Sequence, residues 1–307
     1  MTFQLLFDPK KTIKLIEMQT HFNLLKQLIL EEKLPKIIML SGTKGIGKST
    51  LVNHLMCFIF DKKNYNEEEN IISENSNFFS RFLNNAFPNI ININKNINID
   101  DVRALKNQLS KAPINSDKRF IIIDDIETLN HNCLNGLLKL IEEPGNYNYF
   151  ILINNKTKSI LETVKSRAIE INVILNESQI EKISSYLLNK FNQEAVFDRN
   201  LVHCSPGNFL KFNYIFSEHK INTNEKFVIN LKKLLTLYKK EKNIFYKNTI
   251  VFFTDYYLKK IQLSKNLDNN QILTNRSLIL ENINDFFLYN FNQDTLVRSI
   301  ESRILNE

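Results

Sequence analysis

Up to about residue 175, short apolar runs alternate with longer segments whose apolar positions recur every three or four residues. The runs at 37–40 (IIML), 90–93, 119–125 (RFIIIDD), 149–153 and 169–173 predict strands, and the longer spacing predicts helices. Helices are expected over 20–33, closed by Pro35, then to about 60, over 99–111, over 131–143, stopped by Pro144-Gly145, and over a short piece at 160–165. An unbroken β-branched run such as 119–123 is what a strand covered on both faces looks like, and 149–153 and 169–173 are read as buried in the same way. Strand–helix alternation of this kind predicts an α/β fold, a parallel sheet with helices on both faces. Residues 61–88 are polar, mixed in charge and weakly periodic until FFSRFL, which predicts a surface insertion outside the sheet.

Beyond 174 the strand pattern stops. Short helices are expected over 177–191, 194–203 and 206–217, and four more amphipathic stretches between 223 and 305 describe a helical bundle. The expected domains are therefore 1–173 for the sheet, 174–217 for a small helical domain and 218–307 for the bundle.

The loop after the first strand carries the first chemistry. GTKGIGKST, Gly42 to Thr50, fits G-x-x-x-x-G-K-[ST] and lies between a strand and a helix. Gly42, Thr43, Lys44, Gly45, Ile46, Gly47, Lys48, Ser49 and Thr50 are expected to form a cradle of backbone N–H groups around phosphates. Lys48 suits the outer phosphates, and the Ser49 hydroxyl suits a magnesium ion. Asp124 and Asp125 end the 119–125 run as a Walker B pair on a strand expected next to the loop strand. Asp124 is expected to serve magnesium and Asp125 to orient a water. Asn154, at the tip of the 149–153 strand, suits a terminal phosphate or its water, although an Asn pair also makes an ordinary turn.

Composition narrows the classes. The 307 residues are 43% hydrophobic, enough for more than one globular core, and no apolar run approaches membrane-spanning length. No apolar signal-peptide core opens the chain. Cys57, Cys133 and Cys204 have neither paired nor metal-ligand spacing, which fits a reducing cytoplasm. The net charge of +7 leans towards nucleic acid, but the chain's Lys, Asn and Ile bias is what AT-rich coding produces by itself. Lys232, Lys233, Lys239, Lys240, Lys242, Lys259 and Lys260 are read as solvated helix faces, with a nucleic-acid face as the alternative.

The order GTKGIGKST, RFIIIDDIETLN, NGLLKLIEEP, ILINN and SRA resembles the AAA+ subunits of the bacterial DNA polymerase III clamp loader, and within them the delta-prime kind. The LLKLIEEP block is the most specific part, and the likeness spans roughly 20–210, reaching more weakly into the C-terminal helices as the family's collar. It implies an AAA+ P-loop domain, a helical lid and an all-α collar, in a hetero-pentamer that opens a sliding clamp and loads it on primed DNA in the bacterial cytoplasm. It also implies ATP or ADP with magnesium in the loop. Ser166-Arg167-Ala168 stands where the family has Ser-Arg-Cys, so Arg167 is implied as an arginine finger for a neighbouring subunit's ATP.

Three departures from the family matter. The 61–88 stretch has no cysteine where members often carry a four-cysteine zinc module, so no zinc is expected. Asp125 replaces the Walker B glutamate and is one methylene shorter, a difference to which catalytic geometry is sensitive. The lid segment Ser205-Pro206-Gly207-Asn208 has no arginine. These imply a site that holds ATP but hydrolyses it poorly. A chain ending at 307 without a motor subunit's long tail gives the same expectation. The alternative is a working motor subunit of the gamma/tau kind, which the complete loop favours.

Overall fold

The computed structural model describes residues 8–93, 97–114, 118–265, 268–289 and 291–304. They form two compact units: one runs to Ser185 and takes in Ser205–Asn208, and the other comprises Tyr186–Cys204 and the chain from Phe209.

The first unit contains α1 (Gln19–Leu30), β1 (Ile37–Ser41), α2 (Lys48–Phe60), β2 (Tyr65–Asn66), β3 (Ile71–Ile72) and α3 (Asn77–Leu83). It continues with β4 (Ile90–Ile93), α4 (Ile99–Leu109), β5 (Arg119–Ile123), α5 (His131–Glu142), β6 (Asn148–Asn154), α6 (Glu162–Lys165) and β7 (Ile169–Asn172). Five strands make one parallel sheet in the order β4-β5-β6-β1-β7. The alternation within each strand sends side chains to two separate cores. Ile38, Leu40, Phe120, Ile122, Ile151 and Ile153 pack with α1 and α2, while Met39, Ile121, Ile123, Phe150 and Leu152 pack with α4 and α5. Helices therefore cover both faces, as expected.

Three expectations are corrected here. Strand β5 is not next to β1, because β6 lies between them and pairs with both. The edge strand β7 is not buried: Ile169 is largely exposed. The 61–88 stretch does lie outside the main sheet, but it is no surface appendage. Tyr65, Ile72, Phe78, Phe79 and Phe82 are buried in the core shared with α1 and α2. Phe78 meets the Phe87 ring edge-on at 4.7 Å, so a few well-spaced aromatics outweigh the polar run around them.

Local chemistry fixes the helix starts. Asn98 and Asp101 form a reciprocal capping box at α4, and Asn130 Oδ1 accepts from the Cys133 N–H at α5. Within α2, His54 is fully buried, with Nδ1 3.1 Å from the Tyr65 hydroxyl. Burial, weakly opposed by the Thr12 backbone, lowers its pKa to about 4. An unfolded histidine titrates near 6.5, so between about pH 6.5 and 4 the unfolded chain binds the extra proton. Stability should fall as pH drops through that window, by at most about 3 kcal/mol, and His54→Leu should flatten the loss. Thermal unfolding midpoints from pH 7 to 4 check this, and equal slopes for both proteins would refute it.

In the second unit, α9 (Phe227–Glu241), α10 (Ile244–Lys265), α11 (Asn269–Tyr289) and α12 (Gln293–Ile304) pack successively, and α12 returns to α9. Leu231, Leu234, Ile250, Phe253, Ile283 and Ile300 fill the bundle. Arg276 binds Asp255 through both Nε and Nη2, at 2.6 and 3.1 Å, and so joins α10 to α11. The lysine faces are partly spent within the unit: Lys232 pairs with Asp294 and Lys233 with Glu225.

Helix α7 (Glu177–Lys190) and helix α8 (Pro206–Glu218) form as expected, but 194–203 gives only the single turn Arg199–Leu201. The reason is tertiary. The Val196 N–H donates to Asn213 Oδ1, and Phe197 sits among the rings of Phe216, Phe252 and Tyr256 at 4.6–5.0 Å. An extended chain is what lets both contacts form. No described helix is long and apolar enough to cross a membrane.

Candidate functional site

The loop from Gly42 to Gly47 joins β1 to α2 at the C-terminal edge of the sheet. Gly45 and Gly47 have φ of +84° and +113°, conformations that only glycine adopts cheaply. A Cβ on Gly42 would lie 2.6 Å from the Val173 carbonyl oxygen, so the loop also needs glycine where it passes close to the neighbouring chain. No side chain caps α2, which leaves its first N–H groups for an anion. Lys48 is buried and curls onto its own loop, donating to the Gly42 oxygen at 2.6 Å and the Thr43 oxygen at 2.9 Å. Burial lowers its pKa to about 8, against the opposing pull of Asp124, Glu127 and Asp125 and with a push from Lys44.

Across the tip of β6, Ser49 Oγ donates to Asp124 Oδ2 at 3.2 Å, so a hydroxyl and a carboxylate converge as a magnesium site requires. Asp125 follows β5 in the left-handed region (φ +53°) and is 2% exposed. Lys44 Nζ lies 3.0 Å from each of its carboxylate oxygens, and Asn155 Nδ2 donates to Oδ1 at 2.6 Å. The expected water-orienting acid is therefore already bound on both oxygens.

Asn154 is not the polar group delivered to the acids. Its Nδ2 donates to Ser41 Oγ between the strands, and its Oδ1 accepts from the Lys156 N–H. Asn155, one residue past the strand, does that work, with a second contact to Asp124 at 3.3 Å.

Glu127 escaped the sequence reading. It is buried, its Oε1 accepts from the Asn155 N–H and from Thr157 Oγ1, and it thereby fixes the backbone that aims Asn155. Only its position two residues past the acidic pair hinted at it. The lid segment touches the loop directly: Ser205 Oγ and Asn208 Nδ2 both donate to the Lys44 carbonyl, at 2.5 and 3.1 Å, and the Gly207 N–H donates to the Gly45 carbonyl at 3.0 Å. Arg167 does not join this cluster. It donates to the Thr163 oxygen and pairs with Glu142 at 2.8 Å, both partners being partly exposed.

A glycine loop opening a helix, an acidic strand tip and an intervening Asn strand define a P-loop nucleotide domain of the AAA+ class, followed by an all-α region. A solved gamma subunit-related protein of DNA polymerase III from Thermotoga maritima shares the fold, with a TM-score of 0.52 at 15% identity over 92% of this chain and 97% of that one. This chain belongs to the family described as DNA polymerase III, delta subunit, whose model matches residues 18–176, just over half of its length. A delta' subunit of DNA polymerase III from Buchnera aphidicola (subsp. Baizongia pistaciae) is 29% identical over 163 residues, covering 50% of this chain and 48% of the relative. A gamma subunit from Buchnera aphidicola (subsp. Acyrthosiphon pisum) is 27% identical over 158 residues, 50% of this chain and 42% of the relative. The chain thus spans under half the length of either relative.

Proposed function

We propose that the chain is a delta-prime-like clamp-loader subunit that holds nucleotide, turns it over slowly, and serves a neighbouring subunit through Arg167. The observation that carries this reading is a complete phosphate cradle beside a second acid already bound on both oxygens by Lys44 and Asn155. The loop amides and Lys48 would take the phosphates. Ser49 and Asp124 would hold magnesium, which would supply positive charge against the charge developing on the phosphates. Asp125 is short for its role and engaged elsewhere, and the Ser205–Asn208 turn has no arginine to reach the terminal phosphate. Residues 1–173 would then act as the nucleotide domain, 174–217 as the lid and 218–307 as the collar of a hetero-pentamer. The sliding clamp, primed DNA and a cytoplasmic location belong to the same proposal, as does the absence of zinc.

A second reading has two observations in its favour. The cradle is intact, and a gamma subunit is among the relatives, so a working motor is the alternative. Steady-state hydrolysis of MgATP by the chain separates the two. The proposal expects turnover far below the common enzyme range of roughly 1–1,000 per second; a rate inside that range promotes the motor.

A further inference from the structure

We infer that Lys44 is a brake on hydrolysis: its ammonium, held on the Asp125 carboxylate while the 205–208 turn holds its carbonyl, keeps that acid from orienting water. The inference rests on the nucleotide-site reading above and adds regulation to it.

Three observations combine. First, Asp125 is buried and its oxygens are taken, both by Lys44 at 3.0 Å and one also by Asn155 at 2.6 Å. A carboxylate that orients water must offer an oxygen to it. Second, the Lys44 side chain is 44% exposed, so the ammonium is the movable partner and the acid the fixed one. Third, the backbone of this same residue is gripped by the lid turn through Ser205 Oγ and Asn208 Nδ2. The pairing thus depends on where that turn holds the loop.

The step held back is the ordinary one. A water oxygen bonds to the terminal phosphorus, the bond to the β–γ bridging oxygen breaks, and the water's proton leaves towards Asp125 or a phosphate oxygen, giving ADP and inorganic phosphate. A terminal phosphate is the competing anion for Lys44 in the same loop. An ammonium drawn onto it frees Asp125, and displacement of the turn that grips the Lys44 carbonyl has the same result. The turn therefore does more than cover the site, because it sets the state of the acid.

Two measurements on the full chain test this. Without nucleotide, Lys44→Met and Asp125→Asn should each lower the thermal midpoint, and the double variant should lower it by less than the sum. Additive shifts would mean that the pair does not form in solution, and would overturn the brake. In single turnover, with protein in excess of MgATP and above its Kd, Lys44→Met should hydrolyse about tenfold or more faster than wild type, and adding Asp125→Asn should remove the gain. Ser205→Ala with Asn208→Ala should raise the rate in the wild type and add nothing in Lys44→Met. A Lys44→Met chain that binds MgATP yet turns over no faster defeats the brake alone, because a purely structural pair predicts that result. Wild type that shows no MgATP binding by calorimetry defeats the nucleotide reading, and the brake with it.

Discussion

Lys48→Ala should weaken MgATP binding by roughly 10- to 150-fold, the loss that follows from removing a charge-assisted contact of about 1.5–3 kcal/mol. The chain should nevertheless stay folded. The Lys48 ammonium is buried against two carbonyls of its own loop, and burial lowers its pKa to about 8, so its charge is costly where it stands. Removing it relieves desolvation while leaving the Gly42 and Thr43 oxygens to water. Calorimetric titration of wild type and variant, with thermal midpoints recorded for both, checks the two halves together. Equal affinities would show that Lys48 does not touch the phosphates, and no binding by wild type would show that the cradle is vestigial. A collapse of the midpoint would instead show that the lysine supports the loop.

How much of this site was legible depended on range along the chain. The loop and its glycines follow from local spacing, because a strand–turn–helix brings its own residues together, whereas Ser49 and Asp124, 75 residues apart, were legible only because each belongs to its own motif. The Lys44–Asp125 pair joins positions 81 apart and leaves no local signal. Strand order was invisible for the same reason: an apolar run states that a strand is buried, and only the packing shows that β6 lies between β1 and β5. Asn154 and Asn155 differ by one position, yet that step moves a side chain from the sheet interior to the acids. Strand ends are the least certain feature of any sequence pattern.

The two failed segments have a common cause. Phe197 turns 194–203 from a helix into an extended chain by inserting among aromatic rings, and Phe78, Phe79 and Phe82 draw a polar stretch into the core. In both, a few large side chains with distant partners outweighed the local pattern, which records propensity but not partners.

Arg167→Ala should silence the neighbouring nucleotide site of the assembled complex while leaving this chain able to fold, bind nucleotide and assemble. In the free chain the guanidinium is parked on Glu142, at the end of the LLKLIEE helix, and also donates to the Thr163 carbonyl. A partly exposed pair of this kind is worth about 0–1 kcal/mol, so a phosphate presented by a neighbour can take the arginine over at little cost. Its planar fork would then bind two phosphate oxygens at once, where a point charge would do less well. Trans arginine fingers in other phosphoryl-transfer systems contribute on the order of 10³–10⁵ in rate. One lost site of that size should depress clamp- and DNA-stimulated hydrolysis by the reconstituted complex, and Arg167→Lys should restore it only partly. Glu142→Gln separates the parked role from the working one: it frees the arginine without removing it, so stimulated hydrolysis should hold or rise. If the complex carrying Arg167→Ala hydrolyses ATP and loads clamps at the wild-type rate, the pair with Glu142 is all that this arginine does.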